Sequence, residues 1–426
     1  MKYLLAFLVL SVIIIIHELG HFIVAKASGV AVVEFSLGFG PRLLKFKRKG
    51  TMYSIKLFPF GGSCQMLGED SDETKEGSFN SVSVWKRIAI IAAGPIANFL
   101  LAFVLSVSII GTIGYDACVI HSVAEGSPAE DAGLLPGDHI VKVNKQNVNF
   151  YGDYSLYLME NPGTVMNITY ERDGQKYTTQ LIPEYVSRDR YLMGVTINAE
   201  EPSLNSVNAD TPAEKAGLKA GDLILSMDGK EVRSSDDITD FLVNHTGGEI
   251  KVTVKRDGEV LDFKFEPEKV HQEYYDIGMS MANAYQKCSP AKTVSYSAKY
   301  TGYWMKAVFK SFKLLFTGKA SVNDVSGPVG IVSAIGNVVE ESSSDGFLWV
   351  FINLANWGTM ISANLGVMNL LPIPALDGGR LMFLILEAIR KKPVPREKEG
   401  MVHFVGIVLL MILMVVVLFN DIRKLF

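Results

Sequence analysis

The sequence predicts a multi-pass α-helical membrane protein, with about four transmembrane helices and two inserted extracytoplasmic domains of α+β type. The 426-residue chain is only 20% charged and has a mean hydropathy of +0.22, which is unusual for a soluble protein. Four stretches contain the roughly 20 apolar residues that a bilayer-spanning helix needs. The segment from 115 to 345, between the second and third stretches, holds an internal sequence repeat.

The apolar stretches cover residues 3–25, 88–114, 347–371 and 401–419, and the third continues past a turn into 381–389. The first has an alternative interpretation as a cleaved signal peptide, because Lys2 precedes it and Ala25-Lys26-Ala27 resembles a cleavage site. His17, Glu18 and His21 argue against a signal peptide, which has no use for ionisable residues in its apolar core.

Basic residues predict the orientation, because cytoplasmic loops of membrane proteins carry an excess of Lys and Arg. Two clusters flank the stretches: Arg42, Lys45, Lys47, Arg48, Lys49, Lys86 and Arg87 lie between the first and second, and Arg390, Lys391, Lys392, Arg396 and Lys398 lie before the fourth. We expect both clusters in the cytoplasm. The segment with the repeat and both chain ends are then expected outside.

Composition argues against two other classes of protein. Cys64, Cys118 and Cys288 are too few for a disulfide scaffold or a cysteine-rich zinc module. A bridge between Cys118 and Cys288 is an option if both face an oxidising compartment. The net charge of −4 and the lack of a basic stripe interleaved with aromatic residues argue against nucleic-acid binding.

The repeat predicts two small domains. Ser127-Pro-Ala-Glu-Asp-Ala-Gly-Leu-Leu-Pro-Gly-Asp-His-Ile-Val recurs 84 positions later as Thr211-Pro-Ala-Glu-Lys-Ala-Gly-Leu-Lys-Ala-Gly-Asp-Leu-Ile-Leu. In each copy Pro begins a short helix, Gly ends it, and Gly-Asp leads into an apolar strand. Both copies resemble the PDZ domain, which binds peptides by adding a strand to a sheet edge. Gly114-Tyr115 and Met193-Gly194-Val195 occupy the place of its carboxylate-binding loop, and the alternative for either copy is a spacer or steric filter.

A basic amphipathic helix is predicted over residues 295–317. Its large apolar residues are Tyr300, Tyr303, Trp304, Val308, Phe309, Phe312 and Phe316, and they alternate with Lys299, Lys306, Lys310 and Lys313. Such a helix is suited to a membrane surface. The alternative is a helix that packs on the protein itself.

The sequence His17-Glu18-Leu19-Gly20-His21 predicts the chemistry. Two histidines four positions apart lie on one helix face, so both imidazoles can bind one Zn²⁺ while the Glu between them reaches a water as general base. A carboxylate inside a membrane helix costs about 2.5–3.5 kcal/mol or more. A metal site explains that cost better than polar residues packed between helices.

A catalytic zinc usually has a third protein ligand, and Asp377 is the candidate. It lies in Asn369-Leu-Leu-Pro-Ile-Pro-Ala-Leu-Asp377, where two prolines force irregular backbone that survives at membrane depth only inside protein or beside a water-filled cavity. Its alternative role is the N-cap of a helix over 381–389. The other candidate histidines are His121, His139, His245 and His271 in the outer segment and His403 at the start of the last stretch.

These motifs resemble the site-2 protease family, and the paired repeats between apolar stretches are similar to its bacterial RseP-type members. His17-Glu-Leu-Gly-His21 and the Leu-Asp-Gly of Asn369–Gly378 carry the resemblance, which covers nearly the whole chain. Gly94-Pro-Ile-Ala-Asn98 and Phe58-Pro-Phe-Gly-Gly62 also match the family pattern. The resemblance implies an intramembrane zinc metalloprotease of the bacterial cytoplasmic membrane, active in regulated intramembrane proteolysis.

The resemblance also implies roles for individual residues. The implied zinc ligands and the general base are His17, His21, Asp377 and Glu18. The implied substrate-binding residues are Asn369, near the substrate backbone or the oxyanion, and Phe60, Gly61 and Gly62 of a membrane-dipping β loop. Expected substrates are single-span membrane proteins in the lipid bilayer, such as anti-sigma factors or remnant signal peptides, trimmed beforehand by another protease.

The predicted boundaries follow from these segments. They are 1–27 for the first span, 28–87 for a cytoplasmic membrane-associated β loop region, 88–114 for the second span, 115–187 and 188–270 for the PDZ-like domains, 271–345 for the amphipathic helix and linker, 346–390 for the third span with its following helix, and 401–420 for the fourth. Two competing classes are a membrane scaffold with a degenerate metal site and a metal transporter. Glu18 argues against the first, and the lack of repeated spans argues against the second.

Overall fold

The computed structural model describes residues 2–69, 71, 74–198, 201–318, 326–343 and 345–425. The helices within these residues are α1 (Lys2–Ala27), α2 (Val84–Ile113), α3 (Pro128–Asp131), α4 (Tyr151–Glu160), α5 (Pro212–Ala216), α6 (Ser235–Val243), α7 (Pro290–Phe316), α8 (Pro328–Ser342), α9 (Phe347–Leu370), α10 (Asp377–Arg390) and α11 (Arg396–Leu425). The strands are β1 (Val32–Arg48), β2 (Thr51–Met66), β3 (Tyr115–Val123), β4 (His139–Val143), β5 (Gln146–Asn147), β6 (Met166–Arg172), β7 (Gln175–Leu181), β8 (Glu184–Leu192), β9 (Val195–Ile197), β10 (Leu204–Val207), β11 (Leu223–Met227), β12 (Lys230–Glu231), β13 (Ile250–Arg256), β14 (Glu259–Phe265), β15 (Glu268–Asp276) and β16 (Met279–Gln286).

Three helices in the described part of the chain are long and apolar enough to cross a membrane, over Tyr3–Ala27, Val84–Ile113 and Glu397–Arg423. The predicted third span, α9, has 24 residues and a length of about 36 Å. It is less apolar than the other three because it contains Asn353, Asn356, Asn364 and Asn369. The chain is therefore a membrane protein with three candidate spans, and a span at α9 stays a prediction.

Small residues let the helices of the membrane region approach closely. A Cβ on Gly20 of α1 would lie 2.8 Å from the carbonyl carbon of Ala93 in α2. A Cβ on Gly366 of α9 would lie 2.6 Å from the Phe99 ring of α2. His21 of α1 lies beside Ile90 of α2 and His17 beside Asn98, so the two helices are antiparallel.

The region predicted as a membrane-associated β loop forms one long antiparallel hairpin of β1 and β2. The strands join at Lys49 and Gly50, whose φ angles of 48° and 82° match a type I′ turn. The large apolar side chains exposed along the described part of the hairpin are Val33, Phe39, Leu43, Leu44, Phe46, Ile55, Leu57 and Phe58. An exposed apolar set of this size suits contact with another apolar phase.

A buried carboxylate fixes the bend of this hairpin. Register shifts between Leu37 and Leu44 bend β1, so that Arg42 folds back over Glu34 and binds both of its carboxylate oxygens, at 2.9 and 2.7 Å. Ser54 of β2 donates a third hydrogen bond at 2.6 Å. The bond from Arg42 lowers the pKa of Glu34 to about 2, so the carboxylate stays ionised despite its burial.

The second repeat is inserted into the first. The sheet of the first repeat has the strand order β16-β3-β4-β6-β7, and the second repeat contributes β12-β11-β13-β14 and the pair β9–β10. Because β16 follows all strands of the second repeat in sequence, the chain leaves the first domain and returns to it. The antiparallel ribbon of β8 and β15, paired from Leu192↔Glu268 to Glu184↔Asp276, connects the two.

This topology corrects the predicted boundaries. The prediction ends the first domain at 187 and begins a linker at 271, whereas residues 268–276 and 279–286 are strands. β16 completes the first domain by pairing with β3, from Met279↔Val123 to Gln286↔Tyr115. A strand of this length has the same pattern whichever strand it pairs with, so composition does not reveal the insertion.

The predicted carboxylate-binding loop of the first repeat is wrong for the same reason. Gly194 packs directly on Thr211 in the second repeat, and its counterpart on Ser127 in the first is Gly278. Ile277-Gly278-Met279 therefore corresponds to Met193-Gly194-Val195. Gly114-Tyr115 instead joins α2 to β3.

Helix α7 packs on the protein along its first half, which confirms the alternative to a membrane-surface helix there. Tyr296 stacks on Tyr115 with ring centroids 3.9 Å apart, and Tyr300 meets Phe150 edge-on at 5.2 Å. Further along α7, Phe309 is exposed. The tyrosines of α7 thus fill the junction between the first repeat and the membrane helices.

The cysteines are unpaired, so the Cys118–Cys288 bridge is not formed. Cys118 is fully buried in the core of the first repeat, beside Ile120 and Ile140. Burial raises the pKa of the Cys118 thiol, so it behaves as an inert apolar side chain.

Candidate metal centre

The two histidines of α1 face α2 inside the helical body. One helical turn separates His17 from His21, so their rings share a face, and the residues are only 7% and 6% exposed. Their Nε2 atoms lie 3.2 Å apart. Helix α1 therefore directs two imidazole nitrogens to one point within an apolar segment.

Asp377, the first residue of α10, reaches the same point at the end of the loop that joins α9 to α10. Residues 371–376 lack regular structure, because Pro372 and Pro374 cannot continue α9. The alternative role of Asp377 as a helix N-cap is wrong. Leu376 occupies the N-cap of α10, and Asp377 is already in the first turn.

The three side chains fit a zinc ion. Oδ2 of Asp377 lies 3.1 Å from Nε2 of His17 and 3.3 Å from Nε2 of His21, which completes a nearly equilateral triangle. Ligand atoms about 2.0–2.1 Å from a tetrahedral zinc lie about 3.3 Å from one another. Oδ2 is also buried without a hydrogen-bond donor from the described residues, which is costly for a carboxylate unless a cation neutralises it.

Groups on α2 orient both imidazoles. Nδ1 of His21 donates to the Ile90 carbonyl oxygen at 2.9 Å, which leaves Nε2 available as a ligand. Nδ1 of His17 lies 3.2 Å from the Asn98 amide nitrogen, while the Asn98 Oδ1 is buried without a described partner. Exchanging the two amide atoms places Oδ1 where it can accept the proton of His17 Nδ1, which leaves Nε2 available as a ligand. Both rings then present Nε2 to the metal.

Gly94 gives these rings room. A Cβ on Gly94 would lie 2.6 Å from Cε1 of His21, still closer to its Nε2, and 2.8 Å from Cε1 of His17. Gly94 and Asn98 are the ends of the Gly94-Pro-Ile-Ala-Asn98 pattern noted in the sequence. In the structure Gly94 provides space for the two rings and Asn98 orients His17, and the spacing alone did not reveal these roles.

A cavity of about 380 Å³ opens beside the three ligand atoms. Glu18 lines it next to Gly62 of β2, where a Cβ would lie 3.0 Å from Cγ of Glu18. On the same cavity, Arg380 of α10 forms an ion pair with Glu69, which follows β2. The hairpin and α10 thus enclose the space in which Glu18 could act on a water and a substrate.

The structure separates the predicted substrate-binding residues. Gly62 lines the cavity, whereas Gly61 packs against the Phe39 ring. Phe60 belongs to β2, but its side chain lies outside the described residues. Asn369 is half-buried in the last turn of α9 and is not part of the described lining.

Sequence reasoning missed the pair of Arg380 and Glu69. Arg380 follows Asp377 by one helical turn, a spacing that places both on one face of α10. This spacing is a signal that could have revealed it. Glu69 has no such signal, because only the fold brings it to α10.

The alternative third ligands do not join the cluster of His17, His21 and Asp377. Four of these candidates lie in the segment that contains both repeats, namely His121, His139, His245 and His271. His403 of α11 instead accepts a hydrogen bond from the Ala375 backbone through Nδ1.

Comparison of the sequence with known protein families and curated proteins gives one consistent family. The model of peptidase family M50 matches residues 5–413. The regulator of sigma-W protease RasP of Bacillus subtilis is 32% identical over 99% of this chain and 98% of its own. The regulator of sigma-E protease RseP of Salmonella typhimurium is 31% identical over 99% and 98%. A solved HtrA3 PDZ domain matches 20% of this chain and 92% of that chain at 18% identity, with a TM-score of 0.19.

The family match begins in α1 and ends in α11. It therefore includes His17, His21 and Asp377 as well as the segment that contains both repeats. A relative from Clostridium acetobutylicum, 32% identical over 98% of this chain and 96% of its own, is a putative zinc metalloprotease. The chain therefore belongs to peptidase family M50 and is a zinc metalloprotease of the membrane.

Proposed function

We propose that this protease hydrolyses peptide bonds within the transmembrane segments of other membrane proteins. The observation that carries the proposal is the convergence of His17, His21 and Asp377 between apolar helices, with Glu18 on the adjoining cavity. A site at this depth can reach a substrate only if that substrate also lies in the membrane. Relatives named regulator of sigma-W protease and regulator of sigma-E protease support anti-sigma factors as one substrate class. Remnant signal peptides are the alternative class that we propose, since they too are short apolar segments in the membrane.

The residues at the metal centre have three different roles in this reaction. His17, His21 and Asp377 would hold the zinc ion, which when bound supplies a Lewis acid for the peptide carbonyl and the attacking water. Glu18 lies outside the ligand triangle, so its carboxylate is available to accept the proton of that water and deliver it to the leaving amine. Asn98 holds the ring of His17 in the tautomer that this arrangement needs.

The substrate must be extended locally before cleavage, because helical hydrogen bonds hide its peptide bonds. β1 and β2 form a two-stranded sheet, so the outer edge of β2 can pair with an extended segment. Phe60, Gly61 and Gly62 belong to this strand, and Gly62 brings its edge to Glu18. Asn369 would contact the substrate backbone or the oxyanion once the substrate is bound.

Charge supports a cytoplasmic position for the hairpin side of the site. His21 lies about 9 Å along the axis from Ala27, the end of α1 that leads into the hairpin. Arg87 at the start of α2 forms an ion pair of 2.6 Å with Glu387 near the end of α10, so the two basic clusters lie on one side. By the positive-inside rule this side faces the cytoplasm of a bacterial cell, and the PDZ-like insert lies outside.

Removal of the metal tests the proposed reaction. We expect purified protein in detergent to cut a model single-span substrate within its apolar segment, and a zinc chelator to stop the reaction. Restoring zinc should restore cleavage, because the three ligands keep their positions on α1 and α10. Cleavage that continues after complete zinc removal, or that falls only outside the apolar segment, would contradict the proposal.

The two PDZ-like repeats are proposed to keep substrates with bulky outer domains away from the active site. Prior trimming of the outer domain by another protease would then allow such a substrate to enter. The fold offers a clean deletion, because Leu192 and Glu268 are directly paired at the end of the ribbon. Replacing residues 193–267 by a two-residue turn removes the second repeat and keeps the first sheet complete.

We expect this deletion variant to cut an untrimmed substrate that the full chain leaves intact. The measurement compares cleavage of matched trimmed and untrimmed substrates by both proteins, with cleavage of the trimmed one as the control for folding. If the variant cuts only the trimmed substrate, the second repeat is not the filter.

A further inference from the structure

Helix α11 contacts the described part of the protein at two places. Most of its residues are exposed, and Gly406 and Asp421 are buried. Asp421 accepts two backbone hydrogen bonds of 2.8 Å at the start of α8. At the other place, His403 and Gly406 meet the loop that carries Asp377 into the metal cluster.

The backbone of this loop needs support at Ala375. Its φ angle is 77°, in the region that residues other than glycine rarely adopt. The Ala375 N–H donates to Nδ1 of His403 at 3.0 Å. Because Nδ1 accepts this bond, the imidazole is neutral and carries its proton on Nε2. Such a backbone persists only where its surroundings hold it, and His403 supplies a direct bond to it.

Gly406 lets α11 come close enough for this bond. A Cβ on Gly406 would lie 2.8 Å from the carbonyl oxygen of Pro374, which precedes Ala375. His403 and Gly406 are three positions apart and therefore face the same side of α11. A Cβ on Gly379 of α10 would lie 3.0 Å from Cα of Pro374. The loop is thus held between α10 and α11.

We infer that His403 is a positioning residue that holds Asp377 in place for zinc through the Ala375 backbone. The bond fixes the direction in which the chain enters α10, whose first turn contains Asp377. His403 itself does not join the ligand triangle. This inference rests on the proposed zinc site.

The test compares two substitutions in the full-length protein. His403→Leu removes the acceptor, whereas His403→Asn places an amide oxygen where Nδ1 was. We expect the Leu variant to bind zinc about 10–100 times more weakly in a chelator competition and to shift the d–d absorption of the Co²⁺-loaded protein. The Asn variant should resemble the wild type in both measurements, and the cleavage rate should follow zinc occupancy.

Phe404→Leu is the control, because Phe404 lies on the same turn and is 66% exposed. Wild-type zinc affinity and spectrum in His403→Leu, or equal loss in the Leu and Asn variants, would overturn the inference. If His403→Leu does not fold, Gly406→Ala is the second variant, because its Cβ pushes α11 away from the loop while His403 stays intact. Unchanged zinc binding in Gly406→Ala would also overturn the inference.

Asp377→Asn separates the two proposals. If this variant keeps wild-type zinc affinity, the proposed zinc site itself fails. If it loses zinc while His403→Leu keeps it, only the role of His403 fails.

Discussion

Replacement of Glu18 by Gln is expected to abolish cleavage while the protein keeps its zinc. Gln has nearly the same size but cannot accept a proton, and the loss of a general base typically lowers the rate about 10²–10⁴-fold. Glu18 lines the cavity next to Gly62 and is not one of the three clustered ligand atoms. The measurement is the cleavage rate of a single-span substrate, with zinc content determined on the same purified sample.

Glu76→Gln is the matched control, because Glu76 is exposed on the hairpin side and the substitution makes the same change in charge. It should leave both rate and zinc content unchanged. Equal rates for Glu18→Gln and the wild type, with zinc bound, would remove the catalytic assignment and favour a membrane scaffold. Loss of zinc together with activity would assign Glu18 to metal binding instead of proton transfer.

The local part of the site could be predicted from the sequence because a single helix determines it. Once residues 3–25 are assigned to a helix, the spacing of His17 and His21 fixes their shared face without any tertiary contact. Asp377 needed a weaker argument from irregular backbone between prolines. Its own motif alone favours the N-cap role, and only the pairing with the motif of His17 and His21 favours a metal ligand. The position of Leu376 at the N-cap of α10 decides against the N-cap role.

Contacts between distant segments explain what the sequence did not reveal. β16 pairs with β3 across the entire second repeat, and an alternating strand does not encode its partner. For the same reason Ile277-Gly278-Met279 was overlooked as the counterpart of Met193-Gly194-Val195, although both contain an apolar residue on each side of a glycine. His403 is similar, since its bond to Ala375 depends on how α11 packs.

Replacement of Gly94 by Ala is expected to remove zinc binding, although the change adds a single methyl group. The new Cβ would lie 2.6 Å from Cε1 of His21 and closer still to its Nε2, one of the proposed ligand atoms. The His21 ring cannot simply turn away, because its Nδ1 donates to the carbonyl oxygen of Ile90, which is on α2 together with Gly94. We expect zinc affinity to fall by at least about 100-fold, the upper end of the range for changes in residues that orient ligands. Zinc content and chelator competition measure this directly.

Gly111→Ala makes the same change on the same helix without the clash. A Cβ on Gly111 would meet only Cγ2 of Thr293 among its described neighbours, at 3.9 Å, which is ordinary van der Waals contact. Ala is also favoured over Gly in a helix interior by about 0.8–1.0 kcal/mol, so this control should bind zinc normally and be at least as stable as the wild type. Comparison of the two variants therefore separates the clash with the histidine rings from any general effect of a Gly→Ala substitution on α2. If Gly94→Ala binds zinc as tightly as Gly111→Ala, the metal does not lie where the two rings and Asp377 converge.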